Sequence, residues 1–398
     1  WYGTTHQEQT EWWSGWNLAK KRILADYTIG INDEALRRSE ALECIVYPDR
    51  VERDWADAHE TFGLLDGKPV LYIDLETAAD SIFCSLDMSH IETAEAMEGG
   101  VFFAPREAPG MKIMLAPAAD VPFRALPEGI KAPSDADGFI LTYGTEEECR
   151  ALAAGFRTDG ERMKKERKER INGLVTEYNP LKSNLPELDN SLAWITITMD
   201  ELITEQQGNG IYAGLPWFNE YWGRDMFISM PGACLVTGQF DVAKQILKDF
   251  VKLQDTDPES ETYGRIPNRA NLEGILYNTT DGTPRLVIQA YELAQYSGDT
   301  EFLHEIYPAI KMSIDASIRN YTDSKGYLTH ADADTWMDVK RNGIPGSPRG
   351  NRANDIQALW YGQLTAGSKI AAIMGDTGSA EEWSGLAQML ASNFESDY

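Results

Sequence analysis

Hydrophobic positions along the chain fall into two textures. Up to residue 143 they come in short runs, PVLYIDL at 69–75, SIFCSL at 81–86, GVFFAP at 100–105, MKIMLAP at 111–117 and GFILTY at 138–143. Turn signals such as Asp66-Gly67 and Pro109-Gly110 separate them. Apolar runs this short, at this spacing, predict the strands of an antiparallel β-sandwich. Past Tyr143 the period lengthens to that of a helix. EEECRALAAGF at 146–156 reads as one helix, and ERMKKERKERI at 161–171 as a second in which acids and bases alternate at i,i+3 and i,i+4 spacing. Glu161, Glu166 and Glu169 interrupt the basic run, so this segment is expected to be a solvated linker helix rather than a nucleic-acid patch.

From residue 188 onward helical periods follow one another. FDVAKQILKDFVKL at 240–253 sets Val242, Ile246 and Phe250 on one face with Leu247 and Val251 beside them. Similar periods at 188–205, 225–237, 284–296, 300–321, 354–374 and 380–394 bring the total to about seven helices. Their long connections hold the residues with chemical character. Helices paired antiparallel, with the informative residues in the loops, predict a helical barrel whose site lies at one end. The chain thus divides into a β-sandwich over 1–144, linker helices over 145–184 and an all-α region over 185–398.

Charge narrows the partners. A net charge of -27 over 398 residues repels phosphate, so no nucleic-acid partner is expected and a neutral or cationic ligand fits better. No run approaches the ~18 apolar residues of a membrane span. Cys44, Cys84, Cys149 and Cys234 lack metal-ligand spacing and read as reduced thiols, which suits a cytoplasmic setting. The opening WYGTTHQ shows no signal-peptide pattern, as it also would had a signal been removed. No GxSxG, HExxH, P-loop or dinucleotide fingerprint occurs, and the histidines are scattered, so no metal or cofactor is expected.

Four segments remain that could do chemistry. YAGLPWFNEYWGRDMFISMPG at 212–232 crowds Trp217, Phe218, Tyr221 and Trp222 against Arg224 and Asp225, without helical or strand period. Flat rings suit the C–H faces of a pyranose and an Arg–Asp pair suits its hydroxyls, although a buried aromatic plug with a structural ion pair would use the same residues. GRIPNRANLEGILYNTTD at 264–281 contains Asn268, Tyr277 and Asp281, the last of which is also placed to cap the helix after it. ADADTWMDVKRN at 331–342 sets Asp338 beside Trp336 in a loop. An indole that desolvates Asp338, with Asp332 and Asp334 close by, would raise its pKa and suit it to general acid work. PGSPRGNRANDIQALWYG at 345–362 carries Arg349 in a turn and Asp355 at a helix start.

In this order and at these intervals, AGLPWFNEYWGRDMFISMPG, GRIPNRANLEGILYNTTD, TWMDV and SPRGNRANDIQALWYGQL resemble the amylo-α-1,6-glucosidase domain of glycogen debranching enzymes of archaeal and bacterial type, over about residues 185–398. The resemblance implies an (α/α)6 toroid behind a β-rich domain, acting on glycogen or a branched α-glucan. It implies inverting hydrolysis of the α-1,6-linked glucose at a branch point, which takes one protonated and one ionised carboxyl. Asp338 matches the general acid, Arg224 and Asp225 the pair on the terminal glucose, Asp281 an acid of the same subsite, and Trp336 the ring beside the acid. Trp217, Trp222, Asn268, Tyr277, Arg349 and Asp355 are the further substrate-binding candidates.

Two segments depart from the family pattern. Where it usually reads Glu-Ile-Asn before Ala-Leu-Trp, this chain has Asp355-Ile356-Gln357, and after Asp281 an expected Ala-Ser and aromatic pair give way to Gly282, Thr283, Pro284 and Arg285. About seven of the toroid's helices are present, so the toroid reads as incomplete, and the general base, a Glu of a later loop, is expected beyond Tyr398. A glucoamylase-like inverting α-glucosidase is the alternative enzyme, and a glucan-binding protein without the base is the alternative outside catalysis.

Overall fold

The strand Val70–Thr77 shows why the first half of the chain folds as it does. Leu71, Ile73 and Leu75 point to one face and Val70 and Tyr72 to the other, and all five are buried. A computed structural model describes the chain from residue 1 to 398 except residues 4, 5, 10, 19, 179, 180, 207, 272 and 273. It forms two units, Trp1–Ile197 and Thr198–Tyr398.

In the first unit Val70–Thr77 is an inner strand of an eight-stranded antiparallel sheet. A five-stranded sheet, containing Tyr27–Ile31, Ser81–Leu86 and Gly129–Pro133, faces it. Between the two lies a core that includes Leu71, Ile73, Phe103 and Phe139 from the larger sheet with Ile29, Ile82 and Ile130 from the smaller. This is the sandwich the short runs predict. The other face of the large sheet is also covered. Val70, Tyr72, Phe102 and Ile140 meet Cys149, Ala153 and Phe156 of helix α1, Glu146–Gly173.

Helix α1 corrects two expectations. Residues 146–156 and 161–171 belong to one 28-residue helix, begun by a capping box between Thr145 and Glu148. It is not a solvated linker over its whole length: one face is apolar and held to the sheet, and Lys164 also reaches Asp74 at 2.7 Å. Only the outer face is the expected ladder, with Arg162–Glu166 and Lys165–Glu169 pairs.

Helix α2, Pro186–Leu202, crosses the division between the units. The second unit then carries α3, Gly223–Met230; α4, Phe240–Val251; α5, Gly282–Ser297; α6, Leu303–Asn320; α7, Asn354–Ile373; and α8, Thr377–Asp397. Counting α2, these are the seven helices of the apolar periods. Their shared core includes Phe227, Phe250, Leu293, Ile310, Trp360 and Trp383. The helix expected through 237 changes at Pro231, which has no N–H to give, into a π-helical turn over Pro231–Leu235.

One layer has no counterpart in the hydrophobic period. Ile203–Thr204, Gly210–Gly214, Phe218–Trp222, Arg269–Asn271 and Gly274–Leu276 form a five-stranded antiparallel sheet within the helical region. It delivers the aromatic segment to the start of α3.

Candidate active site

Arg224 and Asp225 are set in place by a strand that becomes a helix. Phe218–Trp222 runs beside Arg269–Asn271 with Trp222 opposite Arg269, and α3 starts at the next residue. Gly223 donates its N–H to the Asn268 carbonyl at 2.7 Å, and a Cβ on Gly223 would lie 2.5 Å from the Pro267 carbonyl oxygen. Only glycine permits that approach. Asn268 is fully buried, its N–H given to the Leu276 carbonyl at 2.8 Å and its Nδ2 to Asn278 Oδ1 at 3.3 Å.

Asp281 stands at the start of α5, yet it does not cap the helix. Its backbone is helical, with φ -83° and ψ -27°, and its side chain makes no capping bond. Instead Oδ2 accepts from Arg224 Nε at 2.6 Å. The pair is nearly closed to solvent, the side chains being 13% and 3% exposed. Losing one partner of such a pair costs about 3–5 kcal/mol, because the other charge is left buried.

Asp338 comes to the same guanidinium from a third segment. Its Oδ2 accepts from Arg224 Nη2 at 3.3 Å, and that nitrogen also lies 3.3 Å from the Thr335 carbonyl. The loop is tied down just before this point, where Thr280 donates its N–H to the Asp334 carbonyl at 2.8 Å and Arg265 faces the Asp334 carboxylate at 3.5 Å. Thr335 is fully buried, and its hydroxyl accepts the Met337 N–H at 3.2 Å. Asp338 is the most open of the three charged groups, at 22% exposure.

The charged partner of Asp338 is this guanidinium, while the indole expected to desolvate it is largely open to solvent. Trp336 is 55% exposed, Asp334 is turned to Arg265, and Asp332 accepts the Gly350 N–H. The group beside Asp338 is a guanidinium. Burial first, and then the charges of Asp281 and Asp338, raise the carboxyl of Asp225 above its ordinary value, against the pull of Arg224. Burial works to lower Arg224, but Asp281 and then Asp338 outweigh it and hold the guanidinium above its ordinary value.

The remaining candidates take several roles. Arg349 Nη2 donates to Asp355 Oδ1 at 2.6 Å, and Asp355 acts electrostatically on Arg285, as do Asp281, Arg224 and Asp225. His330 clasps the loop that carries Arg349: its Nε2 accepts the Ala353 N–H at 2.9 Å, and its own N–H reaches the Asn351 carbonyl at 3.2 Å. Trp222 keeps its indole N–H buried without an acceptor, under the Arg269 guanidinium at 5.8 Å from the ring. Tyr277 gives its hydroxyl to the Leu253 carbonyl at 2.6 Å, a contact that braces the scaffold. Trp217 is 52% exposed and, among the described residues, makes no hydrogen bond with the charged cluster. Sequence reasoning passed over His330 and the Thr335 carbonyl. A backbone acceptor leaves no mark on residue identity, and a histidine used as a clasp shares no spacing with ligands.

Comparison with known proteins gives two matches. The model of the family described as amylo-alpha-1,6-glucosidase matches residues 189–398. Among solved structures, the crystal structure of a bacterial glucoamylase complexed with acarbose superimposes with a TM-score of 0.56 at 13% identity, covering 92% of this chain. Identity that low speaks to the fold, a β domain followed by a helical toroid, and not to the reaction. The chain spans 60% of the length of that glucoamylase. No curated protein matches.

Proposed function

Because the chain belongs to the amylo-alpha-1,6-glucosidase family, we propose that it removes the α-1,6-linked glucose at branch points of glycogen or a related α-glucan, in the cytoplasm, by inverting hydrolysis. The observation that carries this reading is the single guanidinium of Arg224 held between Asp281 and Asp338. A fixed, buried donor flanked by carboxylates suits a polyol, whose hydroxyls both give and accept hydrogen bonds. In this account Arg224, Asp225 and Asp281 bind the terminal glucose. The family resemblance gives Asp338, the more open carboxyl, the general-acid role, and to give its proton to the leaving oxygen it must be protonated in the substrate complex against the pull of Arg224. Inversion also needs a carboxylate about 6.5–9.5 Å away to activate water, and the family resemblance gives that role to a Glu of a later toroid loop.

A second reading, a glucoamylase-like inverting α-glucosidase, has the same pocket act on α-1,4 links. Hydrolysis of a maltooligosaccharide bearing one α-1,6-glucosyl branch separates the two, since the first reading predicts free glucose with the linear chain left intact. Asp338→Asn should lower that rate by about a thousandfold while leaving glucose binding within a few fold, the effect of losing a general acid. A variant with near wild-type rate would remove Asp338 from the mechanism.

A further inference from the structure

Arg285 is a cation that the rest of the site leaves unengaged. It lies on the first turn of α5, four residues after Asp281, half-buried, and its Nε is buried without a hydrogen-bond partner. Among the described residues it takes part in no ion pair, while the neighbouring Arg224 and Arg349 are both paired. Asp225 likewise has no ion-pair partner among the described residues, although its charge and that of Arg285 act on one another. Buried polar atoms without partners gather along the same stretch, at Asn268 Oδ1, Thr280 Oγ1, Asp281 Oδ1 and Gln289 Oε1. Native proteins leave few such atoms unmatched, and those on the segments that carry Asp281 and Arg285 are open to a polar ligand or water.

We propose that Arg285 is a specificity-determining residue of this chain, forming with Asp225 a donor and acceptor clamp on neighbouring hydroxyls of the bound terminal glucose. The planar fork of an arginine can donate to two adjacent oxygens at once, and the aspartate accepts from them. The ligand is a neutral hexose rather than an acidic one. Asp225, Asp281, Asp338 and Asp355 act on or pair with Arg224, Arg285 and Arg349 and outnumber them. The family pattern does not supply this residue, since it usually carries an aromatic pair after the acid and its Ala-Ser. The inference rests on reading the pocket as a glucose site.

The test is binding of D-glucose and its four monodeoxy analogues at C2, C3, C4 and C6 to the 398-residue chain, by titration calorimetry, for wild type, Arg285→Met and Arg285→Lys. Arg285→Met is expected to bind glucose about tenfold more weakly, as loss of a charged hydrogen-bond donor does, with no loss of thermal stability. Each analogue lacking one of the two hydroxyls that Arg285 reads should show a smaller difference between wild type and Arg285→Met than glucose does, a coupling that a merely structural role would not produce. Arg285→Lys keeps the charge without the fork and should still lose about threefold, which provides the reading if the Met variant does not fold. Wild type binding glucose with both variants within twofold of it would overturn the role of Arg285 and leave the glucose pocket standing. No glucose binding by folded wild type, or tighter binding of D-glucose 6-phosphate than of glucose, would overturn the clamp; the first of these outcomes would also overturn the glucose pocket.

Discussion

Asp281 allows two uses of a carboxylate to be separated by one substitution. Asparagine caps helices as well as aspartate does, so Asp281→Asn would be harmless if capping were its role. The structure instead gives Oδ2 to Arg224, and the variant leaves a 13% exposed guanidinium without its nearer charge partner, Asp338 remaining at 3.3 Å. We expect a loss of about 3 kcal/mol in unfolding free energy by denaturant titration, and weakened sugar binding. An unchanged midpoint would return Asp281 to the capping role. At this scale the sequence was informative about which residues matter, because Arg224, Asp281 and Asp338 sit in motifs with no helical or strand period. It was less informative about what touches them. Trp336 lies two positions from Asp338 in sequence, but the partner of Asp338 across the site is Arg224, which the chain brings from 114 residues away.

Elements show the same contrast between what periodicity reveals and what it hides. The strands of the sandwich and the helices of the second unit could be read because each buries a regular face. Helix α1 read as two because Gly155 and Gly160 interrupt its apolar stripe, while its hydrogen bonding runs through both. The five-stranded sheet of the second unit could not be read, since its strands are two to five residues long and its aromatics do not alternate. Yet this sheet positions the site through one junction. Gly223→Ala is predicted to destabilise the chain by about 1–3 kcal/mol, because its Cβ would meet the Pro267 carbonyl at 2.5 Å and Phe250 at 3.3 Å. Since the displaced residue is followed by Arg224, glucose affinity should fall with stability; a variant as stable as wild type would show that the junction has room to adjust.

Over the whole molecule, family membership and fold agree while the reaction is inferred from a handful of side chains. The family match covers the second unit and leaves the sandwich to be understood from its own packing, where a sheet buried on both faces accounts for the short apolar runs. No helix among the described residues is long and apolar enough to cross a membrane. The net charge of -27 is consistent with a neutral sugar as ligand and gives no help in choosing between α-1,6 and α-1,4 links. That choice, and the stereochemistry, belong to the bound substrate. The most direct test of the account is proton NMR of the glucose released from an α-1,6-branched maltooligosaccharide, recorded before the anomers equilibrate. Inverting hydrolysis predicts β-D-glucose as the first product; α-D-glucose as the first product would contradict it.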